Sequence, residues 1–320
     1  MTGAGPTTLV TGASGFAGSH LLEHLAGNGD LTGWSRSAPT PELARLAQWT
    51  RVDMLDRQHV RQEILALRPT VVYHCAGAAH VGSSWQDTAL PMASNVLSTH
   101  YLLDALRRAG APCRVVIPGS ANVYAASTTP LVEDSPMGPA SPYAVSKLAQ
   151  EQLGVRALVE DGVGVVVARA FNHIGARQSP TFAVAGMARQ IAQIERGGAE
   201  PVIRVGNLDT HRDLTDVRDT VRAYALLMER GVPGAIYNVA SGVGRKMRAV
   251  LDALVVRSTV AVEIVLDRSR LRPNDLPVLI GDATRLRTET GWEPRISFDR
   301  ALDDILDYWR SVERASLSHF

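Results

Sequence analysis

Tyr143 and Lys147 stand four residues apart in Pro142-Tyr143-Ala144-Val145-Ser146-Lys147, a spacing that puts both on one face of a helix. A free tyrosine has a pKa of about 10, too high for proton exchange at neutral pH. A lysine ammonium beside it favours the phenolate and is expected to lower that value. The pair then works as acid or base in the interconversion of a carbonyl and an alcohol. Ser120 follows an apolar run, in Gly119-Ser120-Ala121-Asn122-Val123-Tyr124, where its hydroxyl can hold the reacting oxygen. A Tyr-x-x-x-Lys pair alone says little, because such pairs are frequent on exposed helices. Its order after a glycine loop and a strand-end serine makes it specific.

The glycine loop opens the chain. An apolar run at residues 7–11 leads into Gly12-Ala13-Ser14-Gly15-Phe16-Ala17-Gly18 and then a helical pattern. Glycines there permit a tight turn and let backbone N–H groups approach a pyrophosphate, with the positive end of the helix behind them. Gly12, Ser14, Gly15, Phe16, Ala17 and Gly18 are therefore the expected cradle of a dinucleotide. The spacing is G-x-x-G-x-x-G rather than the G-x-G-x-x-G of most Rossmann dehydrogenases. The second strand ends Gly33-Trp34-Ser35-Arg36-Ser37. A carboxylate at this point would bind the ribose 2′-hydroxyl of NAD and repel a 2′-phosphate. None is present; Ser35, Arg36 and Ser37 offer a cation and two hydroxyls, which suit NADP(H) over NAD(H). A solvated arginine after a strand would look the same. Asp53, followed by Met54 at the end of the next strand, is placed either to contact the adenine or to cap a helix.

These groups need a scaffold that brings strand ends together. Short runs rich in β-branched residues at 7–11, 30–34, 70–75, 114–118 and 163–169 alternate with helical patterns at 16–27, 57–67, 87–108 and 143–159. Such alternation predicts an α/β fold with a doubly wound parallel sheet, a Rossmann domain. Pro91 falls in the first turn of the third helix, where its missing N–H costs least. After residue 170 the rhythm loosens, with helices expected at 179–196, 247–256 and 298–310 and strands near 202–205, 237–239 and 262–266. The expected division is a cofactor domain over 1–170 plus roughly 212–240. A smaller mixed α/β substrate domain takes 171–211 and 241–320.

Composition narrows the class. The chain has 320 residues, 45% hydrophobic and 20% charged, with a formal net charge of +1, so nothing points to a nucleic-acid or membrane partner. Cys75 and Cys113 read as buried thiols rather than a disulfide framework, no metal-ligand spacing is evident, and the default address is the cytoplasm.

Residues 11–18, His74-Cys75-Ala76-Gly77, Asn95-Val96, Ser120 and the Tyr143/Lys147 pair together resemble the extended short-chain dehydrogenase/reductase family, over essentially the whole chain. The resemblance implies a Rossmann domain, a C-terminal nucleotide-sugar domain and a Ser-Tyr-Lys centre. It also implies that Ala76 and Gly77 border the cofactor and that Asn95 supports the active-site helix. In the second half, Arg169-Ala170-Phe171-Asn172-His173-Ile174-Gly175, Val205-Gly206-Asn207-Leu208, Arg212-Asp213-Leu214-Thr215-Asp216-Val217-Arg218-Asp219 and Leu271-Arg272-Pro273-Asn274-Asp275-Leu276-Pro277 resemble the GDP-mannose branch. That likeness implies a GDP-linked sugar, with Asn172, Arg212 and Arg272 facing its diphosphate. Asn122 and Asn207 then belong to the substrate pocket, and a homodimer is implied. The chain departs from that pattern at Ala176-Arg177, where proline and glycine are usual, so the substrate loop is expected to differ. His80 either touches the sugar or is a solvated loop histidine, and His173 reads as structural.

Three chemistries share such a scaffold. A 4,6-dehydratase needs an acid and a base beyond the tyrosine, usually just after the strand-end hydroxyl; here those positions are Ala121 and Asn122, neither of which takes up a proton. An epimerase that returns its hydride retains NAD, which the absent carboxylate after the second strand argues against. Reduction remains: the branch implies NADPH-dependent reduction at C4 of GDP-4-dehydro-6-deoxy-D-mannose to GDP-D-rhamnose. A non-catalytic dinucleotide sensor is disfavoured because Tyr143 and Lys147 are both kept.

Overall fold

The computed structural model describes residues 6–271 and 274–315. In chain order the strands of the first half are β1 (Thr8–Thr11), β2 (Leu31–Ser35), β3 (Gln48–Arg51), β4 (Val71–His74), β5 (Arg114–Ser120) and β6 (Gly164–Ala170). Those of the second half are β7 (Asn172–Ile174), β8 (Val202–Val205), β9 (His211–Asp216), β10 (Ile236–Val239), β11 (Gly244–Lys246), β12 (Glu263–Leu266) and β13 (Val278–Leu279). The longer helices are α1 (Phe16–Leu25), α2 (Arg57–Leu67), α3 (Ser98–Ala109), α4 (Pro142–Asp161), α5 (Ala183–Glu195), α6 (Val217–Arg230), α7 (Met247–Val256) and α8 (Phe298–Ala315).

Seven parallel strands form the main sheet in the order β10-β6-β5-β4-β1-β2-β3. The order reverses between β1 and β4, and an open α/β sheet binds ligands outside the carboxyl ends of its strands at such a point. Side chains alternate across each strand. Leu9, Val115 and Val165 enter the core beneath α2 and α3, while Val10, Val116 and Val166 enter the opposite core with Tyr224 of α6. Burial on both faces explains why these strands read as unbroken apolar runs rather than alternating ones.

A second core joins Ile174, Val184, Ala188, Ile191, Val205, Leu214, Leu251, Leu302, Ile305 and Trp309. Helix α8 shows why this region folds: Ala301, Leu302, Ile305, Leu306 and Trp309 recur at three- and four-residue spacing and are buried. Each fully buried leucine or isoleucine contributes about 1.5–3 kcal/mol. The strands β11, β9 and β13 with β7, and the separate pair β12-β8, complete it.

Three features differ from the expectations. The helix expected over 87–108 is interrupted: a short turn at Ala89–Pro91 is followed by a π-helical stretch, Met92–Leu97, before α3. The widened turn holds Asn95, whose side chain reaches across to Ala78 and Ser146. Helix α6, capped by the Asp216 carboxylate on the Arg218 N–H at 2.8 Å, had no sequence forecast. Finally, Leu279, Ala283, Leu286 and Trp292 share the main-sheet core with Tyr237, although the expected division assigned them to the second region. Trp292 donates to the Asp219 carbonyl at 2.9 Å, which ties this segment to α6.

Candidate active site

A cleft of about 330 Å³ opens at the carboxyl ends of β1, β4, β5 and β6 and is closed on its far side by the second region. Gly12, Gly15, Phe16, Ala17 and Gly18 line one end. Gly12 has φ +64°, and a Cβ there would lie 2.6 Å from the Ala76 nitrogen; one on Gly18 would lie 2.2 Å from the Gly12 carbonyl oxygen. Only glycine fits either place, so the backbone is bare where the loop meets α1. The helix starts after Gly15 without a side-chain cap, leaving its first N–H groups for an anion. This cradle fits a dinucleotide pyrophosphate. Ser14 is exposed on the loop. Gly77 lines the cleft, and Ala76 donates its N–H to Thr11 Oγ1 at 3.2 Å beside it.

The expected 2′-phosphate residues lie at the end of β2, outside the cleft wall. Arg36 and Ser37 are exposed, and the sequence carries no carboxylate between Leu31 and Pro41. Ser35 is buried and its hydroxyl donates to the Ser37 carbonyl within this turn. Asp53 accepts the Leu55 N–H at 2.9 Å and closes a turn, and Met54 is a core residue.

The reacting groups converge on the cleft from β5 and α4. Ser141 caps α4 by accepting the Ala144 N–H at 3.1 Å, and Pro142 follows at its start. That fixes Tyr143 in the first turn, with Lys147 one turn on, and both line the cleft with Ser120. Ser120 Oγ accepts from the backbone and side-chain amides of Asn122, each at 3.2 Å, leaving its own proton to donate. Lys147 is one of only two lysines among the 33 basic residues; the other, Lys246, is exposed and pairs with Asp209. Lys147 Nζ donates to the Pro118 carbonyl at 2.9 Å and to Gln150 Oε1 at 2.8 Å. Burial lowers its pKa to about 8, against the opposing pull of Glu151.

The expected lowering of Tyr143 is not what this arrangement gives. Burial pushes the phenol up, the nearby Ser120 hydroxyl offsets part of that, and the Glu151 charge adds to it. Burial is the largest cause, and the Lys147 ammonium is directed at Pro118 and Gln150. The phenol thus starts in its protonated form, the form a donor needs, but as a weaker acid than free tyrosine.

Behind the reacting groups lies a layer the motif reading missed. Glu151 and Arg169 form a buried ion pair, Nη2–Oε2 3.0 Å. Arg169 also donates to Tyr124 Oη at 2.9 Å, and Tyr124 passes the chain on to Asn238 Oδ1 at 2.7 Å. Its signals were present: Glu151 follows Lys147 by one helical turn, and Arg169 is a charge inside an apolar strand.

At the substrate end, Asn122, Asn172 and Arg212 line the cleft. Asn172 Oδ1 is buried without a protein partner among the described residues. Arg212 lies against the 274–276 loop: Nη2 meets Asp275 Oδ1 at 2.6 Å and Nη1 donates to the Leu276 carbonyl at 2.7 Å. Arg272 lies outside the described residues. Asn207 is away from the cleft and accepts the Asp209 N–H at 3.0 Å, an Asx turn. His80 is also off the cleft wall. Its Nδ1 accepts the Ser83 N–H at 3.0 Å, so Nε2 carries the proton and donates to the Thr181 carbonyl at 3.1 Å. It fastens the 80–85 loop to the 179–182 loop, while Val81, Trp85, Gln178 and Phe182 line the cleft. His173 stacks on Phe16, centroids 5.6 Å apart, and lines the cleft too.

The departure at Ala176-Arg177 has a visible compensation. Arg177 has φ +70°, a conformation that favours glycine. Its guanidinium grips Glu23 of α1 at 2.6 and 2.7 Å, and His20 bonds the Ala176 carbonyl at 2.9 Å. Although burial pushes Glu23 upward, His20 and Arg177 hold its pKa down at about 2.

A family model described as GDP-mannose 4,6 dehydratase matches residues 9–305. The GDP-6-deoxy-D-mannose reductase of Pseudomonas aeruginosa is 37% identical over 308 residues, covering 95% of this chain and 97% of that protein. A UDP-glucose 4-epimerase of Azospirillum brasilense is 31% identical, over 98% of this chain and 95% of that one. The solved structure of RMD from Pseudomonas aeruginosa complexed with NADPH superposes with a TM-score of 0.84 at 34% identity, covering 96% and 99% of the two chains. Matched along nearly its whole length in sequence and fold, the chain belongs to the GDP-mannose 4,6-dehydratase family within the extended short-chain dehydrogenase/reductases.

Proposed function

We propose that this chain is an NADPH-dependent ketoreductase that converts GDP-4-dehydro-6-deoxy-D-mannose to GDP-D-rhamnose. One observation carries the reading: Ser120, Tyr143 and Lys147 share a cleft wall on which the next two residues, Ala121 and Asn122, hold no acid or base. The wall has what a reduction needs and lacks what a 4,6-dehydration adds. The likeness to the Pseudomonas reductase supports the substrate, and the NADPH complexed with RMD in the similar solved structure supports the cofactor.

Gly12, Gly15 and Gly18 would hold the pyrophosphate of NADPH, Arg36 its 2′-phosphate and Lys147 its nicotinamide ribose. When bound, NADPH supplies the hydride that reduces the C4 carbonyl. Tyr143 gives its hydroxyl proton to the carbonyl oxygen as negative charge grows there. Ser120 donates a hydrogen bond to the same oxygen, worth most where charge develops. The Lys147 ammonium steadies the phenolate that Tyr143 leaves. Asn172 and Arg212 grip the diphosphate, with Arg212 exchanging Asp275 for phosphate oxygens.

The same reading includes a homodimer, for which the exposed Leu90, Met92, Leu97 and Val145 on neighbouring helical segments offer an apolar face. It also places the enzyme in the cytoplasm, where the free thiols Cys75 and Cys113 stay reduced. Among the described residues no helix is long and apolar enough to cross a membrane. Tyr143→Phe tests the assignment: the rate falls by at least about a hundredfold, the general-acid contribution, while NADPH affinity is kept. Near-normal turnover by the folded variant would remove Tyr143 from the reaction.

A further inference from the structure

The Lys147 ammonium ends a continuous run of buried hydrogen bonds that none of the reaction steps uses. Gln150 Oε1 accepts from Lys147 at 2.8 Å, and Gln150 Nε2 donates to Thr99 Oγ1 at 2.7 Å. Thr99 Oγ1 donates to the Asn95 carbonyl at 2.6 Å. A hydroxyl has one proton, so Thr99 must accept from His74 Nε2, 2.9 Å away. Burial pushes His74 down to about 3, so it is neutral, and with its proton on Nε2 its Nδ1 must accept. The donor is Thr11 Oγ1 at 2.8 Å, which in turn accepts the Ala76 N–H. Thr99, His74 and Gln150 are at most 1% exposed. Every donor and acceptor in the run has one assignment only, from the strand that feeds the phosphate loop to the reaction centre.

We infer that Gln150 is the residue that positions the Lys147 ammonium, and that Thr99 and His74 hold Gln150 with its oxygen turned to the lysine. A free amide can rotate and present its N–H₂ group to a cation. Here the Thr99 oxygen, its own proton spent on Asn95, accepts from the amide nitrogen and fixes the orientation. The run is not a proton path: the amide of Gln150 neither gains nor releases a proton at neutral pH, and the Thr99 proton is committed to Asn95. Its function is to keep a buried cation in place. This rests on the reading that gives Lys147 its part in the reaction.

The other groups that face Lys147 are few. Cys75 at the end of β4 is neutral, since burial pushes its thiol up to about 12. Glu151 on the same helix is bonded to Arg169 instead, and Tyr143 keeps its proton. Gln150 and Pro118 are therefore the direct acceptors of the ammonium among the described residues.

With two lysines in the chain, lysine-selective ¹³C and ¹⁵N labelling of the full-length protein gives one signal set for each, and Lys246→Arg identifies them. Gln150→Met fills the space without an acceptor and lowers the Lys147 titration midpoint by about one pH unit, the scale of one charged hydrogen bond. Gln150→Glu raises it by about as much. The alkaline limb of kcat/KM moves with it in both variants. Thr99→Val, which does not touch Lys147, shifts the midpoint down by a smaller amount because Gln150 is no longer oriented. If the methionine variant does not fold, Gln150→Asn withdraws the acceptor by one methylene and gives the same downward shift. An unchanged midpoint, or the same direction of shift for methionine and glutamate, overturns the inference. Lys147→Met with normal turnover would instead overturn the reaction role of Lys147, and the titrations would still decide what Gln150 does.

Discussion

Glu151→Gln alters little of the molecule's shape and removes one charge from an ion pair sealed in the core. Glu151 is 0% exposed and Arg169 1%, and Arg169 Nε reaches Oε1 and Oε2 at 3.2 and 3.0 Å. The guanidinium also lies 4.8 Å from the Tyr124 ring centroid. Burial pushes the Glu151 carboxyl up, and the Arg169 guanidinium pulls it back toward the charged form. Removing one partner of a buried pair costs 3–5 kcal/mol because the survivor stays buried and uncompensated. Glutamine keeps an oxygen to accept from Arg169, which puts the cost near the lower end, about 3 kcal/mol. For a chain of 320 residues that lowers the melting temperature by roughly 5 °C. The double variant Glu151→Gln/Arg169→Met, with no charge left to strand, recovers to within about 1–2 kcal/mol of the native protein. Calorimetry of all four proteins of the cycle checks this. Losses that simply add, or a single variant within about 0.5 kcal/mol of native, would refute the reciprocal role of the pair. Glu151 also supports the Lys147 ammonium. Native turnover is expected to fall as pH rises through about 8, where that ammonium would lose its proton, and in Glu151→Gln the fall is expected at lower pH; the pH profile of kcat/KM checks both.

Two further outcomes follow from the cofactor end. In Gly18→Ala the new Cβ would meet the Gly12 carbonyl, and Gly12 cannot retreat because Ala76 lies behind it. Helix α1 must back away, and NADPH affinity, read by fluorescence titration, falls about tenfold or more; unchanged affinity would mean the loop does not bind the pyrophosphate. Arg36→Ala weakens NADPH more than NADH by roughly 1–3 kcal/mol, and equal losses would sink the 2′-phosphate assignment.

How much of this was legible before the structure depended on distance along the chain. The phosphate loop, the all-apolar strands and the Tyr143/Lys147 face are local patterns, and each stands where the spacing put it. Helix α2 matched to the residue, from Arg57 to Leu67. What escaped lies in contacts between distant segments. His80 reads as a loop histidine until Thr181 is beside it, and no local pattern tells that Asp275 and the Leu276 carbonyl hold Arg212 at the cleft. The direction of the Tyr143 shift also could not be read, because it is set by burial, and burial belongs to the packed chain rather than to a pair of residues. Ser35, Asp53 and Asn207 show a related limit: a polar residue at a strand end closes a turn as readily as it binds a ligand.

The reductase reading is tested most directly by mixing the purified protein with GDP-4-dehydro-6-deoxy-D-mannose and NADPH and following both the absorbance of the reduced nicotinamide and the NMR spectrum of the product. The expected result is one NADPH oxidised for each GDP-D-rhamnose formed. No oxidation would contradict the reductase reading, and the C4 epimer, GDP-6-deoxy-D-talose, would contradict its stereochemistry. Conversion of GDP-mannose without net loss of NADPH would assign the Ser120, Tyr143 and Lys147 cleft to dehydration or epimerisation instead.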